Sequence, residues 1–323
     1  MIKRIIYSIA ACAAILISDS AYAQDPEFTQ FYANPIYLNP AFAGVVRCPR
    51  FIMNYRNQWP GISGTYVSEH ASYDQHIDAM SGGIGLMVMN DVAGAGGILR
   101  RTWFSGVYSY QLNVTREFTI KAAIQATYAQ VSVDWSKLTF GDQIDAKRGF
   151  VFQSNEINYL GKRSYLDISA GMLGFSKRYF FGFAVHHLTQ PDEGLVTAGG
   201  GPLPMKITAH AGAVIPIDIA KDAGETSISP NILYMKQQDF QQILLGFYVN
   251  KGPIVMGLWY RNQDAFIALL GFQKGVFKAG YSYDLTVSKL TNVTAGSHEI
   301  SMGFQFECRP KKKKFRTISC PSF

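Results

Sequence analysis

The sequence predicts an all-β fold, a transmembrane antiparallel β-barrel of about fourteen strands. Aromatic residues make up 14% of the 323 residues and charged residues only 16%. No apolar run reaches the roughly 18 residues that a membrane-spanning helix needs. Short stretches of alternating apolar and polar residues begin at Arg50 and are separated by turn residues. Such stretches are typical of barrel strands, and the abundant Tyr, Phe and Gly suit strands with aromatic girdles.

Residues 1–23 have the pattern of a signal peptide. Lys3 and Arg4 precede an apolar stretch over 5–17, and Ala21-Tyr22-Ala23 matches a cleavage site. The mature chain would then begin at Gln24. A lipoprotein cleavage before Cys12 is the competing interpretation, but it would leave an apolar stretch of only about seven residues, at the lower limit for a signal peptide.

Residues 24–49 form a segment that cannot be a central strand. It contains Pro26, Pro35 and Pro40, and proline cannot donate a hydrogen bond to a sheet ladder. Its aromatic side chains need burial, and the lumen of a fourteen-stranded barrel is too wide for the wall's own side chains to fill. We therefore expect a plug in the periplasmic half of the lumen, or alternatively a segment packed beneath the barrel or on a partner. The plug candidates are Phe28, Phe31, Tyr32, Tyr37 and Phe42.

Residues 50–307 contain the predicted strands. Their ranges are 50–58, 64–75, 81–90, 99–112, 117–131, 164–175, 178–188, 204–216, 225–236, 240–249, 253–262, 265–274, 275–285 and 297–307. In the last range Ile300, Met302 and Phe304 alternate with polar residues or glycine, which predicts one face toward lipid and one toward the lumen. A soluble β-sandwich also alternates, but its apolar faces would pack against each other in a core.

An even number of strands places the start of the first strand and the end of the last on one side, the periplasm in bacterial barrels. The long connections 132–163, 189–203 and 286–296 are then expected outside. Closure joins the first strand to the last in antiparallel order, because a membrane tolerates no open sheet edge. Cys48 and Cys308 would lie at the same end of neighbouring strands, where a disulfide is geometrically allowed.

Residues that resemble catalytic or metal-binding groups are few. His186 and His187 precede Asp192 and Glu193, but adjacent strand residues point to opposite faces unless the strand ends there. No nucleophile, zinc or phosphate-binding motif is present. We expect no catalytic residue, no metal and no cofactor, and the protein is predicted not to be an enzyme.

The net charge of +7 is unevenly distributed. Residues 1–23 contribute +1 through Lys3, Arg4 and Asp19, and the remaining six charges lie in the tail, 308–323, which leaves the barrel region neutral. This argues against nucleic acid as a partner. The tail is predicted to dock on periplasmic secretion components, or alternatively to be a solvated appendage. Its candidate docking residues are Arg309, Lys311, Lys312, Lys313, Lys314 and Arg316.

The opening Q-D-P-E-F-T-Q-F-Y-A-N-P-I-Y-L-N-P-A-F-A-G, followed by F-I-M-N-Y-R-N-Q-W-P, resembles the start of the PorP/SprF family of type IX secretion system membrane proteins of the Bacteroidetes. The similarity continues through H-E-I-S-M-G-F-Q-F. It implies an outer-membrane barrel that works with the type IX machinery, in some members by exporting or retaining cargo adhesins, as in gliding motility. It brings no catalytic or cofactor residues.

Two classes of function are therefore expected. The first is a secretion and anchoring component, whose partners are the C-terminal domain of a secreted cargo protein, periplasmic type IX components and outer-membrane lipid. The second is a passive channel for small or hydrophobic solutes. A plugged lumen favours the first.

Overall fold

The part of the chain that the structure describes holds the whole barrel. The structure is a computed structural model and describes residues 25–145, 147–154, 161–195, 201–217, 226–287 and 294–307. The predicted signal peptide and the basic tail lie outside the described residues. Within the described ranges, no helix is both long enough and apolar enough to cross a membrane.

Fourteen long strands in these ranges form the wall. They are β1 (Arg50–Gln58), β2 (Tyr66–Ile77), β3 (Gly82–Ala93), β4 (Leu99–Asn113), β5 (Thr119–Val133), β6 (Lys162–Phe175), β7 (Tyr179–His186), β8 (Lys206–Ala213), β9 (Thr226–Gln237), β10 (Phe240–Lys251), β11 (Ile254–Arg261), β12 (Ala265–Lys274), β13 (Phe277–Thr286) and β14 (Ser297–Gln305). The short strand Ile215–Pro216 extends the pairing with β9, and Ile144–Asp145 pairs with Gly149–Phe150 in a small hairpin.

The barrel closes between its first and last strands. Every strand pairs antiparallel with its neighbours, and β1 pairs with β14 from Arg50 opposite Gln305 to Gln58 opposite Ser297. The predicted strand number and closing seam are confirmed. Pro230, within β9, lies opposite Phe247 of β10 and does not end the strand.

The alternation along each strand separates the lumen from the outer face. On β5, Lys121 is fully buried and Gln125 is 5% exposed, whereas Ile124, which points outward, is 55% exposed. On β14, Glu299 and Ser301 are buried while Ile300 and Met302 are exposed. A soluble sandwich would bury the apolar face, so this inverted pattern excludes it and is typical of a wall surrounded by lipid.

The two ends of the barrel differ in their connections. We call the end where β1 begins and β14 ends the terminal end, and the opposite end the loop end. The two longest connections, 134–161 and 187–205, lie at the loop end, as does 287–296, whereas the terminal end has turns of two to five residues apart from the connection 214–225. Long loops face outward and short turns face the periplasm in bacterial barrels, so we expect the loop end to face the cell exterior.

Candidate functional site

Residues 25–46, here called the lumen segment, contact inward-facing residues of the barrel wall. The described part contains no strand and has three single-turn helices, Phe31–Ala33, Pro35–Leu38 and Pro40–Phe42. Pro35 and Pro40 each stand at a helix start, where a missing N–H costs nothing. Asn39 caps the last turn by accepting from the Ala41 N–H at 2.9 Å. The prolines thus divide the segment into short turns that fit within the barrel.

The segment begins in the loop-end half of the lumen. The Asp25 carboxylate lies 2.9 Å from Nε2 of His187 and 3.4 Å from Nζ of Lys206. His187 also lies 2.8 Å from Asp167 through Nδ1. Burial alone would lower the pKa of His187, but Asp25 and Asp167 outweigh it and raise the pKa to about 9. Burial alone would raise the pKa of Asp25, yet His187 and Lys206 hold it below its usual range.

This position differs from the expectation of a plug confined to the periplasmic half. The segment instead runs from Asp25 near the loop end to Gly44 near the terminal end, because charged partners are present at both places. At the terminal end the Gly44 N–H donates to Asp74 at 2.8 Å. Lys121 Nζ donates to the Ala43 carbonyl at 2.6 Å. The contacts therefore extend along most of the lumen.

The two adjacent histidines do not point to opposite faces. β7 ends at His186, and His187 has a φ of 58°, which turns its ring back toward the lumen. Both side chains are buried, with His187 bound by carboxylates. Among the described residues, no group of histidine, cysteine and acidic side chains is arranged to hold a metal ion. His187 anchors the segment through its contact with Asp25.

A buried charge network holds the segment a few residues after Asp25. Thr29 donates to Glu299 Oε2 from its backbone N–H at 2.6 Å and from its hydroxyl at 2.9 Å. Gln30 donates its N–H to Oε1 of the same carboxylate at 3.2 Å. Arg56 joins Glu299 at 3.4 Å and Asp284 at 2.9 Å. These charges are almost fully buried, so each depends on its partners for stabilisation.

The predicted aromatic residues of the segment all face the barrel interior or one another. Phe31 packs edge-on against Trp259, with ring centroids 5.2 Å apart, and Phe42 stacks on His210 at 5.2 Å. The Tyr37 hydroxyl donates to the Pro26 carbonyl, and the Lys206 ammonium lies 5.0 Å from the Tyr37 ring centroid. Phe28, Phe31, Tyr32 and Phe42 are buried, and Tyr37 is half-buried.

The wall is shaped to receive the segment. A Cβ atom added at Gly83 would lie 2.3 Å from the Ala43 carbonyl oxygen, and one at Gly171 would lie 2.2 Å from the Asn39 side-chain oxygen. At Gly182 it would lie 2.8 Å from the Asn39 side-chain nitrogen. These distances are far below contact distance, so glycine at these wall positions is required by the close approach of the segment.

A vestibule of about 400 Å³ lies above the segment at the loop end. Asp25, Pro26 and Glu27 line it, and Trp59 and Phe240 contribute aromatic surface. The connection after β7 folds against the same end. It is held by Arg101, 3.1 Å from Glu193, and by Arg163, 2.8 Å from Asp192. The lining of the vestibule therefore combines both signs of charge with aromatic rings.

The residues of the disulfide and tail predictions lie at or beyond the end of the described ranges. Cys48 is disulfide-bonded, and its partner is outside the described ranges. Pairing with Cys308 therefore stays a prediction. The predicted docking residues also lie outside the described ranges and are Arg309, Lys311, Lys312, Lys313, Lys314 and Arg316.

The sequence interpretation missed the anchoring residues Asp25, Arg56, His187, Asp284 and Glu299. The sequence could have indicated three of them, because Arg56, Asp284 and Glu299 lie on the polar, inward-facing side of the alternating pattern in their strands. A charge on the lumen face of a filled barrel must have a buried partner. The sequence did not indicate which charged residues form ion pairs, because the partners are far apart in the chain.

One family of known proteins matches most of this chain. The family described as "Type IX secretion system membrane protein PorP/SprF" matches residues 20–304. A search of curated proteins finds no match. Among solved structures, the Ralstonia pickettii toluene transporter TbuX shares 11% identity over 84% of this chain and 93% of its own, with a TM-score of 0.49. The Acinetobacter baumannii outer membrane protein Omp33 shares 7% identity over 80% of this chain and 99% of its own, with a TM-score of 0.44.

The location follows from the wall and the family together. The closed antiparallel barrel has an apolar outer face, and the matching family consists of secretion-system membrane proteins. The protein is therefore an outer-membrane barrel. Because the match extends over most of the sequence, the chain belongs to the PorP/SprF family of type IX secretion system membrane proteins.

Proposed function

We propose that this barrel holds a secreted cargo protein during type IX secretion. In this proposal the vestibule at the loop end binds the C-terminal domain of the cargo, and the periplasmic machinery binds at the terminal end. The observation that supports it most is the set of buried contacts between the lumen segment and the inner wall. A barrel bound in this way to its own lumen segment would act through the surfaces at its ends.

The vestibule suits this role by its composition. Trp59, Tyr66 and Phe240 lie at its wall, and aromatic side chains supply much of the binding energy in protein interfaces. Asp91 and Arg101 also line it, so polar contacts are available to fix the orientation of a bound domain.

Co-purification tests the proposal. A tagged barrel isolated from its own outer membrane should retain a secreted protein through that protein's C-terminal domain, whereas the double variant Trp59→Ala/Phe240→Ala should lose it. Phe150→Ala is the matched control, because Phe150 is 60% exposed in the loop-end hairpin and does not line the vestibule. Equal recovery of cargo with the double variant would exclude the vestibule as the binding surface.

The passive channel is the alternative and makes a different prediction. Intact protein in planar bilayers would then show a steady, large conductance. Under the cargo-holding proposal the intact barrel should stay nearly closed, and deletion of residues 25–46 should open it. A large conductance of the intact protein would favour the channel.

A further inference from the structure

The outer face of the barrel carries two polar rows at the loop end of β3–β6, here called the outer patch. The residues of each row lie directly opposite one another on neighbouring strands and point away from the lumen. The rim row consists of Arg100, Ser132 and Lys162, and the next row of Asn90, Thr102, Gln130 and Ser164.

The outer patch lies just beyond the part of the wall that lipid tails cover. On β4 the outward positions from Phe104 to Leu112 are apolar or aromatic apart from one glycine, and on β5 those from Ile120 to Tyr128 are all apolar or aromatic. Each stretch has about the nine to eleven residues that a tilted strand needs to cross the hydrocarbon core. The polar rows follow these stretches toward the loop end, so they lie at the level of the lipid headgroups.

The opposite side of the barrel differs at the same end. On β11–β13 the outward row nearest the loop end is apolar, because Tyr260 lies opposite Phe266 and Phe266 lies opposite Leu285. These strands have 8, 10 and 10 residues, whereas β4, β5 and β6 have 15, 15 and 14. The extra length of β4–β6 therefore carries the outer patch past the hydrocarbon core.

Two cations give the outer patch its charge. Arg100 and Lys162 are exposed, and among the described residues neither forms an ion pair. One strand separates them, which places their backbones roughly 10 Å apart. Ser132 lies between them, and the next row adds hydroxyl and amide groups. Two cations at this spacing, beside neutral hydrogen-bonding groups, favour a ligand with two anionic groups and several hydroxyls.

The acidic residues beside the outer patch have partners of their own. Glu69 accepts from the Asn90 amide at 3.2 Å, and Asp134 lies 3.4 Å from Lys137. With Lys137 included, the cations around the patch outnumber the carboxylates. The two cations of the rim row therefore remain available to an anionic ligand.

We propose that the outer patch binds a diphosphorylated disaccharide lipid of the outer leaflet. The loop end is expected to face the cell exterior, so the patch meets the headgroups of that leaflet. The two phosphates lie beside Arg100 and Lys162, and the acyl chains run down the exposed apolar row below, which consists of Phe104, Tyr128 and Leu166. The site is on the outer face and does not depend on the cargo-holding function.

Native mass spectrometry of the full-length mature barrel, released from detergent micelles after titration with lipid A, tests the proposal. Diphosphoryl lipid A should bind saturably at one site per barrel. Arg100→Gln/Lys162→Gln should weaken this binding by about tenfold, because two charge-assisted contacts are lost. Lipid A stripped of both phosphates should bind more weakly to the unchanged protein. Phosphatidylglycerol, which has one phosphate and no disaccharide, should also bind more weakly.

A second double variant separates the site from a general effect of charge. Lys177→Gln/Arg178→Gln removes two exposed cations from a turn at the terminal end, so it should bind lipid A like the unchanged protein. Heat-modifiable gel mobility should show that both double variants are folded. The proposal is overturned by unchanged lipid A binding in folded Arg100→Gln/Lys162→Gln, by absence of saturable binding, or by equally tight binding of dephosphorylated lipid A or phosphatidylglycerol.

Discussion

The backbone N–H of Thr29 donates to Oε2 of Glu299 at 2.6 Å, although 270 residues separate them in the chain. This bond joins the lumen segment to the last strand, which itself closes the barrel against the first. The segment and the seam therefore share one carboxylate, and folding of the two should be coupled.

Glu299→Ala should release the lumen segment while the barrel persists. The substitution removes the acceptor of Thr29 and Gln30 and leaves Asp284 as the only carboxylate bound to Arg56 among the described residues, and breaking a buried pair costs about 3–5 kcal/mol. Limited proteolysis should then cut within 25–46 much faster than in the unchanged protein. Glu117→Ala, at an exposed turn, is the control. Equal protease resistance of the two variants would contradict the anchoring role.

Gly83→Val should expel the segment by steric collision. The new side chain would overlap the Ala43 carbonyl and the Gly44 Cα, which an added Cβ would approach to 2.3 and 2.6 Å. Single-channel recording should show a larger conductance than in the unchanged barrel. Gly106→Val, on the outer face, should leave the conductance unchanged. If Gly83→Val also leaves it unchanged, the segment does not block the lumen.

The loop-end anchor should weaken at alkaline pH. The pKa of His187 is raised from 6.5 to about 9, so its stabilising contribution is fully present below the unfolded value and is lost as the pH rises through the folded value. Protease cleavage near Asp25 should therefore increase between neutral pH and about pH 10. His187→Gln should remove most of this pH dependence. A pH dependence identical in the variant would show that another group is responsible.

Cys48 should be bonded to Cys308. Arg50 lies opposite Gln305, and the Phe306 N–H donates to the Pro49 carbonyl at 2.9 Å, so continuing this register places Glu307 opposite Cys48, and Cys308 is the next residue in the chain. Mass spectrometry of a non-reduced digest should yield the linked peptide pair. Cys320→Ser should keep the link and Cys308→Ser should abolish it. A peptide joining Cys48 to Cys320 would disprove the pairing.

Removal of residues 309–323 should reduce export or surface display of the cargo without affecting barrel assembly. All six net positive charges of the mature sequence lie in this tail, and attraction to an acidic periplasmic surface should weaken with salt. Heat-modifiable gel mobility reports assembly, and cell-surface labelling of the cargo reports export. Normal export by the truncated protein, or failure to reach the outer membrane, would reject the docking role.

The sequence by itself determined the wall. Alternation has a period of two residues and is a local property, so the β11 sequence I-V-M-G-L-W-Y-R and the β14 sequence S-H-E-I-S-M-G-F-Q indicated strand, inner face and outer face together. The even strand number then required the antiparallel seam between β1 and β14. The prolines of the lumen segment likewise excluded a strand there, because proline cannot donate to the ladder.

Only the tertiary structure decided what lies inside the wall. Asp25 reaches the loop end because His187 and Lys206 converge there, and His187 faces inward because β7 stops one residue before it. A cavity of about 90 Å³ near the terminal end appears only where Gly271 lies opposite Gly280, with Gly303 two residues away on the next strand, beside a turn of the lumen segment. Charge pairing and empty space depend on residues far apart in the chain, and a local pattern carries no information about either.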